Sequence, residues 1–144
     1  MTCQKASLEG QVFSIEKRYI DDMLSHALLE SPNECCGILA GSDGRIEKLY
    51  RCTNAEKSPY RYNLEPKELL QIWREVEEKR WQFLGLYHSH TFSEAYPSPT
   101  DIRLAFWSDS LYFIVSLADQ ENPIVRAFRI AGGDVIEEPL EIKP

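Results

Sequence analysis

One stretch in the second half of the chain constrains the fold more than any other. It opens with the apolar run Phe83–Tyr87, which predicts a short buried strand, and His88 and His90 follow directly. Side chains two residues apart on a strand point to the same side of the sheet, so both imidazoles can reach one point in space. Ser98-Pro99 then predicts the start of a helix that carries Asp101 in its first turn.

These residues form a candidate ligand set for zinc. Two neutral imidazole nitrogens from His88 and His90 and one carboxylate from Asp101 suit one Zn²⁺ per chain with its fourth position open to water, as in catalytic sites. Each piece also has a structural interpretation: histidines often have ordinary polar partners, and Ser98-x-x-Asp101 has the pattern of a helix capping box. The convergence of all of them in one segment favours the metal site.

The spacing His88-x-His90-x7-Ser98-x2-Asp101 resembles the JAMM (MPN+) motif of zinc metallo-isopeptidases, with every motif position filled. That family also requires an upstream glutamate in a segment like P-x-E-x-C-G-x-x-x-G. The run Pro32–Gly41 matches this segment, with Glu34 at the position of the glutamate. The resemblance extends over residues 13–115 and therefore covers a domain.

The chemistry of these residue types agrees with what the resemblance implies. A zinc ion on His88, His90 and Asp101 would lower the pKa of a water from about 15.7 toward ~7. Glu34 is the candidate general base and then general acid, and Ser98 is the candidate donor to the oxyanion of the tetrahedral intermediate. The expected reaction is hydrolysis of an amide bond.

The resemblance is to the small prokaryotic members, because the chain has no long insertion between its predicted elements. It implies cleavage of a peptide or isopeptide bond at the C-terminal Gly-Gly tail of a ubiquitin-like protein, which we expect to be a sulfur-carrier protein. Within the loop Asn54–Asn63, Lys57 and Arg61 could contact the tail or a terminal carboxylate, and an ordinary solvated loop is an equal alternative. The sequence leaves open which carrier is cut, what is released and the oligomeric state, for which a homodimer is one option.

Three other functions share parts of this pattern. A non-catalytic MPN scaffold would bind partners without chemistry, but such modules usually lack some of the ligands. A RadC-like protein of DNA-linked function shares the His-x-His and Ser-x-x-Asp spacing, but the acidic balance and the expected absence of an additional N-terminal nucleic-acid module disfavour it. A zinc nucleoside deaminase has a related architecture, but its Pro-Cys-x-x-Cys ligand pair is missing here.

Composition restricts the partners and the setting. The net charge of −7 disfavours nucleic acid, because phosphate binding needs an excess of Lys and Arg. The length suits one domain over residues 1–144, and no stretch is apolar enough to suggest a secretory signal or a membrane span. Cys3, Cys35, Cys36 and Cys52 form no Cys-x-x-Cys pattern, so we expect reduced thiols and a cytoplasmic protein. Adjacent Cys35 and Cys36 should face opposite sides of a strand.

Hydrophobic periodicity predicts an α/β fold, which the resemblance specifies as a JAMM/MPN (cytidine-deaminase-like) mixed sheet of about six or seven strands flanked by three helices. The helices are expected over 16–30, with an apolar stripe that includes Leu28 and a surface-exposed His26; from Pro66 onward, with Trp73 on the buried face; and over 98–108. Strands are expected near 12–15, 35–40, 46–50, 82–87, 111–117, 124–130 and 135–136, with hairpin turns at 42–44 and 132–134.

Overall fold

The structure is a computed structural model, and it describes residues 12–144. Cys3 and the start of the chain, where we expect no secretory signal, lie outside the described residues. The helices are α1 (Lys17–Glu30), α2 (Pro66–Glu78) and α3 (Pro99–Arg103). The strands are β1 (Phe13–Glu16), β2 (Cys36–Ser42), β3 (Arg45–Cys52), β4 (Gln82–His90), β5 (Leu111–Ser116), β6 (Ile124–Ala131), β7 (Asp134–Glu138) and β8 (Leu140–Lys143).

Six strands form one mixed sheet in the order β3-β2-β4-β5-β6-β7. Only the β4–β5 pair is parallel within this sheet of the described residues, and its other neighbours are antiparallel. The β2–β3 and β6–β7 hairpins turn through residues with positive φ, including Asp43 at 54° and Gly44 at 73°, as expected for turns of the Asp-Gly type. The predicted mixed sheet with three helices is confirmed.

Both faces of this sheet are covered, which explains why its central strands carry no charged residues. On one face, α1 packs on Leu39, Tyr87 and Phe113. On the other face, α2 packs on Ile38 and neighbouring small side chains of β2. The alternation of Ile38 and Leu39 between two separate cores follows from the two-residue repeat of a strand.

Helix α1 buries a different set of residues from the predicted one. His26, predicted to lie at the surface, is 4% exposed, and its Nδ1 lies 2.7 Å from the Tyr87 hydroxyl. It follows Tyr19 and Met23 at helical spacing, so a polar residue occupies a core-facing position and takes a buried partner. Leu28, predicted to be buried, is 49% exposed.

The other two helices also differ from the prediction. Trp73 on α2 is 50% exposed, with its ring centroid 5.4 Å from that of Phe83 at the sheet margin. Helix α3 ends at Arg103 rather than near residue 108. Leu104 and Phe106 remain 49% and 78% exposed, so no continuous apolar stripe is available to hold a longer helix against the core.

A second, two-stranded sheet was missed by the sequence analysis. Strand β8 pairs in parallel with β1, with Phe13 opposite Leu140 and Ile15 opposite Ile142. This pairing joins the beginning and end of the described chain beside α1. Among residues 12–144, none of the helices has the length and apolar character that crossing a membrane requires.

Gly37 leaves no room for a side chain in β2. A Cβ at this position would overlap the Tyr87 ring and lie 2.5 Å from the Tyr50 carbonyl oxygen. Gly37→Ala is therefore expected to lower the free energy of unfolding by about 1–3 kcal/mol, measured by urea denaturation. Gly44→Asn is the matched control, because open space surrounds that turn and asparagine tolerates positive φ. A Gly37→Ala variant as stable as the wild type would contradict this close approach.

Candidate metal centre and active site

The register between β2 and β4 positions the site. Cys36 lies opposite His88 in this antiparallel pair. The ladder continues one residue further, since the Cys35 N–H donates to the Ser89 hydroxyl (2.8 Å) and the Ser89 N–H donates to the Cys35 carbonyl (3.2 Å). Glu34, the residue before this pair, is therefore carried to the end of β4 where His90 lies.

His88, His90 and Asp101 converge on one point. The two histidine Nε2 atoms are 3.2 Å apart, and Asp101 Oδ2 lies 3.1 Å from the first and 3.0 Å from the second. Tetrahedral zinc with bonds of about 2.0–2.1 Å requires ligand atoms about 3.3 Å apart, so this triangle fits one face of such a tetrahedron. The histidines are 1% and 4% exposed, so the group is enclosed by protein on most sides.

The hydrogen bonds of His90 prepare it to bind a cation. Its Nδ1 lies 2.8 Å from the Glu94 carbonyl oxygen, which can only accept, so Nδ1 carries the proton. In the neutral ring this leaves the lone pair on Nε2, directed at the cluster. Burial disfavours the charged ring, but the hydrogen bonds to Asp101 and to the Glu94 carbonyl outweigh it and raise the pKa of His90.

Tyr62 holds the ring of His88. The two rings are stacked, with centroids 4.5 Å apart and an angle of 22° between their planes. The Nδ1 of His88 is buried and has no hydrogen-bond partner among the described residues. The orientation of His88 is therefore set by its place on β4 and by this stacking. No pattern in the sequence indicated this role of Tyr62.

Asp101 caps a helix and also faces the two histidines, so both interpretations of its motif, capping box and candidate metal ligand, apply to the same side chain. The Ser98 N–H donates to Asp101 Oδ2 (2.9 Å), and the Asp101 N–H donates to the Ser98 hydroxyl (3.0 Å), which completes a capping box at the start of α3. The same Oδ2 faces both histidines. Burial raises the pKa of Asp101, but His88, His90 and the Ser98 N–H outweigh it and hold the pKa far below its ordinary value.

Ser98 lies half-buried beside the cluster. Its oxygen accepts the Asp101 N–H, so its hydroxyl proton remains available for donation outside the capping box. This geometry is compatible with the predicted oxyanion donor.

Glu34 is a buried carboxyl group at the edge of the cluster. It is 3% exposed, and its Oε1 has no hydrogen-bond partner among the described residues. Burial raises the pKa of Glu34 to about 8, against an opposing effect of His90. Such a group can take up and release a proton near neutral pH, as proton transfer in catalysis requires.

Asn54 holds the backbone around Glu34, and the sequence analysis missed it. Its Nδ2 donates to the carbonyls of Glu34 (3.0 Å) and Arg61 (3.1 Å), and its Oδ1 accepts the N–H groups of Glu56 (2.9 Å) and Asn63 (3.1 Å). All four bonding positions of this buried amide are used. An asparagine within a polar loop carries no sequence signal that distinguishes such a role.

A cavity of about 400 Å³ opens beside the cluster. Its apolar lining consists of leucines and aromatic side chains, including Trp107 and Tyr112. Its polar lining consists of Glu56, Arg61, Asn63, Thr100 and Asp101. Lys57, the other cation of this loop, is not part of the lining, so the structure separates the two basic residues that the sequence left equivalent.

The described cysteines are buried free thiols, as predicted. Cys35 belongs to the core under α1, whereas Cys36 and Cys52 belong to the core under α2. Burial raises the pKa of Cys35 to about 12, so its thiolate is disfavoured at neutral pH. These residues fill space in the two cores.

The mixed sheet presents two histidines at the end of a central strand, with an aspartate in the first turn of the next helix and a buried glutamate just before the adjacent strand β2. This is the architecture of a JAMM/MPN domain. The family described as "Prokaryotic homologs of the JAB domain" matches residues 16–131, and the chain belongs to this family.

Two curated relatives support this assignment. The chain is 41% identical over 133 residues to the CysO-cysteine peptidase of Mycobacterium tuberculosis, with 91% of each chain covered. It is 37% identical over 103 residues to the desampylase of Haloferax volcanii, which covers 67% of this chain and 74% of the relative.

Solved structures agree on the fold. Protein DSY2949 from Desulfitobacterium hafniense superimposes with a TM-score of 0.80 at 34% identity, covering 90% of this chain and 92% of that one. The JAB1/MPN domain protein AF2198 from Archaeoglobus fulgidus superimposes with a TM-score of 0.59 at 18% identity, covering 90% and 98%. The second likeness bears on the fold alone.

Glu34→Gln is expected to stabilise protein from which divalent ions have been removed with a chelator. The pKa of Glu34 is raised in the folded chain from an ordinary value of 4.5 to about 8. Below pH 4.5 the carboxyl group is protonated in both the folded and the unfolded chain, so no charge is buried on folding. Between pH 4.5 and about 8 the free-energy cost of burying the charged form grows. The stability gain of the variant should therefore rise across that pH range, toward about 5 kcal/mol, in urea denaturation. Glu77→Gln, at an exposed position, is the control. A stability gain of Glu34→Gln that decreases as the pH rises would contradict a raised pKa for Glu34.

Proposed function

We propose that this chain is a zinc-dependent peptidase that hydrolyses the peptide or isopeptide bond following the C-terminal Gly-Gly of a ubiquitin-like protein, acting as a single JAMM/MPN domain. The observation that carries the proposal is the buried triangle of His88, His90 and Asp101 with the uncompensated carboxyl group of Glu34 beside it. The family assignment and the peptidase names of the relatives support hydrolysis as the class of reaction.

The metal would be held by three protein atoms. His88 and His90 supply Nε2 and Asp101 supplies Oδ2, all within 4.8 Å of one another. When bound, zinc supplies Lewis-acid activation of water near neutral pH. The Glu94 carbonyl and the capping box of α3 keep the His90 and Asp101 ligand atoms directed at this point.

Glu34 moves the protons of the reaction in this proposal. Its carboxylate takes a proton from the attacking water, and the carboxylic acid then delivers this proton to the leaving nitrogen. The Glu34 N–H donates to the Ser58 carbonyl, and the Glu34 carbonyl accepts from Asn54 Nδ2. These two bonds restrict the backbone of Glu34, so its side chain can serve both steps from one place.

Ser98 would stabilise the developing charge on the substrate carbonyl oxygen. Its hydroxyl oxygen is fixed by the Asp101 N–H, which directs the remaining proton away from the capping box. A fixed donor of this kind contributes about 3 kcal/mol to transition-state stabilisation in other hydrolases.

A ubiquitin-like tail fits the shape of the site as a substrate. Glycines at the end of the tail carry no side chain, so an extended Gly-Gly segment can approach the enclosed cluster closely and form backbone hydrogen bonds with the protein. The names of the relatives, which refer to a CysO–cysteine linkage and to desampylation, support a carrier-protein conjugate as the substrate class.

Glu34→Gln should retain zinc and lose most of its hydrolytic activity. The amide cannot accept the proton of water, and loss of such a base typically costs about 10²–10⁴ in rate. The measurement is turnover of a zinc-loaded variant on a ubiquitin-like sulfur-carrier protein extended beyond Gly-Gly, followed by mass spectrometry. Glu77→Gln is the control, and retained turnover in Glu34→Gln would assign the proton transfers to another group.

His88→Ala should lose both zinc and activity, because two protein ligands cannot hold the ion in a tetrahedral site as tightly as three. Zinc content per chain, measured by elemental analysis after dialysis, tests this expectation. The control is His26→Gln, which changes a histidine outside the cluster and should keep its zinc. Full zinc occupancy in His88→Ala would refute the ligand assignment.

A further inference from the structure

We propose that Tyr62 is a positioning residue for the metal ligand His88, and that its ring takes the place of the hydrogen bond that a metal-binding histidine ordinarily makes with the protein. The inference rests on the zinc site of the proposed function and concerns how tightly that site holds the ion. It predicts that loss of the Tyr62 ring weakens zinc binding although all three ligands remain.

The two histidines of the cluster are supported in different ways. A histidine that binds a metal through one ring nitrogen carries a proton on the other, and this N–H is almost always held by a carboxylate, a backbone carbonyl or water. His90 has such a contact, since its Nδ1 lies 2.8 Å from the Glu94 carbonyl oxygen. The Nδ1 of His88 is buried and has no acceptor among residues 12–144. His88 therefore lacks the protein contact that fixes the ring of His90.

Stacking restricts the His88 ring instead. Turning an imidazole about its Cβ–Cγ bond costs little by itself, and such a turn would move Nε2 away from His90 and Asp101. The Tyr62 ring lies with its centroid 4.5 Å from that of His88 and its plane within 22° of parallel. A stacked contact at this distance is favourable, and the edge of a turning imidazole would run into the tyrosine ring. Tyr62 thus holds Nε2 of His88 toward the other two ligand atoms.

Tyr62 can position another side chain because its own place is fixed. Its ring packs against the core under α2. The Arg61 carbonyl before it accepts from Asn54 Nδ2, and the Asn63 N–H after it donates to Asn54 Oδ1, both at 3.1 Å. Asn54 also pairs with Leu64 in an isolated antiparallel bridge that closes this loop. One buried amide therefore holds the backbone on both sides of the stacked ring.

A purely structural role is the competing explanation. Tyr62 lines the cavity beside Asp101 and contacts the core, so packing alone could account for a large ring at this place. A ring that only fills space can be replaced by another apolar side chain at a cost in stability, without any change at the metal. A ring that holds His88 cannot be replaced in this way. The two roles therefore predict different zinc affinities and different metal geometries for the same variant.

The test compares the wild type with three variants. Tyr62→Leu removes the ring and keeps an apolar side chain, whereas Tyr62→Phe keeps the ring and removes the hydroxyl. Tyr60→Leu is the matched control, because it removes a tyrosine of the same loop whose ring is 74% exposed and lies beside Phe92. The zinc dissociation constant is measured by competition with a chromophoric chelator. The absorption spectrum of the protein saturated with cobalt(II) reports the geometry of the metal, and circular dichroism checks that each zinc-free variant is folded.

We expect Tyr62→Leu to bind zinc about tenfold or more weakly than the wild type, since loss of the contacts that orient a metal ligand typically costs about 10–100-fold in affinity. Its cobalt spectrum should differ from that of the wild type even at saturation. Tyr62→Phe and Tyr60→Leu should keep the wild-type affinity and spectrum. Should leucine prevent folding, Tyr62→Met is measured in its place, because methionine fills irregular space more readily.

Wild-type zinc affinity in the variant without the ring would overturn the inference, and so would an equal loss of affinity in Tyr62→Phe, which would assign the effect to the hydroxyl. Neither measurement uses a substrate, so such a result would leave the peptidase proposal intact. A wild type that binds no zinc at the cluster would overturn both.

Discussion

The antiparallel register of β2 against β4 is the constraint on which the site depends. It places Cys36 opposite His88 and, through the paired bonds between Cys35 and Ser89, carries Glu34 to the end of the strand that bears both histidines. A slip of one residue would turn the side chains of one strand to the other face of the sheet. Because one face packs under α1 and the other under α2, such a slip would expose one core and bury the wrong residues in the other. Packing of the two cores therefore fixes the geometry of the polar cluster.

A single short helix then completes the cluster with groups that also cap it. Asp101 Oδ2 accepts the Ser98 N–H and faces both histidines, while the Ser98 oxygen accepts the Asp101 N–H. Helix α3 has only five residues, too few to be stable by backbone hydrogen bonding alone. The capping box therefore supplies local order where the cluster needs it, and the structural and functional interpretations of this motif describe the same atoms.

Local pattern was enough to predict most of the fold, because the signals for its main elements lie within short segments. The uncharged run before His88, the Asp43-Gly44 turn and the proline at the start of α2 each specify an element by themselves. The β1–β8 pair could not be predicted in this way, since it joins strands more than a hundred residues apart and each is only four residues long. His26 was misjudged because a polar residue on an apolar stripe is predicted to face water unless its buried partner, Tyr87 on β4, is known.

The same distinction applies to the candidate site. The positions of Glu34, His88, His90, Ser98 and Asp101 follow from a motif with fixed spacing, and the structure brings them to one region. Tyr62 and Asn54 act through a ring contact and through four hydrogen bonds to main-chain atoms, and neither leaves a periodicity or a spacing in the sequence.

The cluster also has an energetic consequence. Glu34 Oε1 and His88 Nδ1 are buried without partners among the described residues, and burial raises the pKa of Glu34 to about 8. A fold that keeps such groups dehydrated loses stability when Glu34 ionises, and a bound divalent cation would recover part of this loss by favouring the charged carboxylates. In the proposed function, metal affinity, proton transfer and a local cost in stability would therefore arise from one arrangement of buried charge.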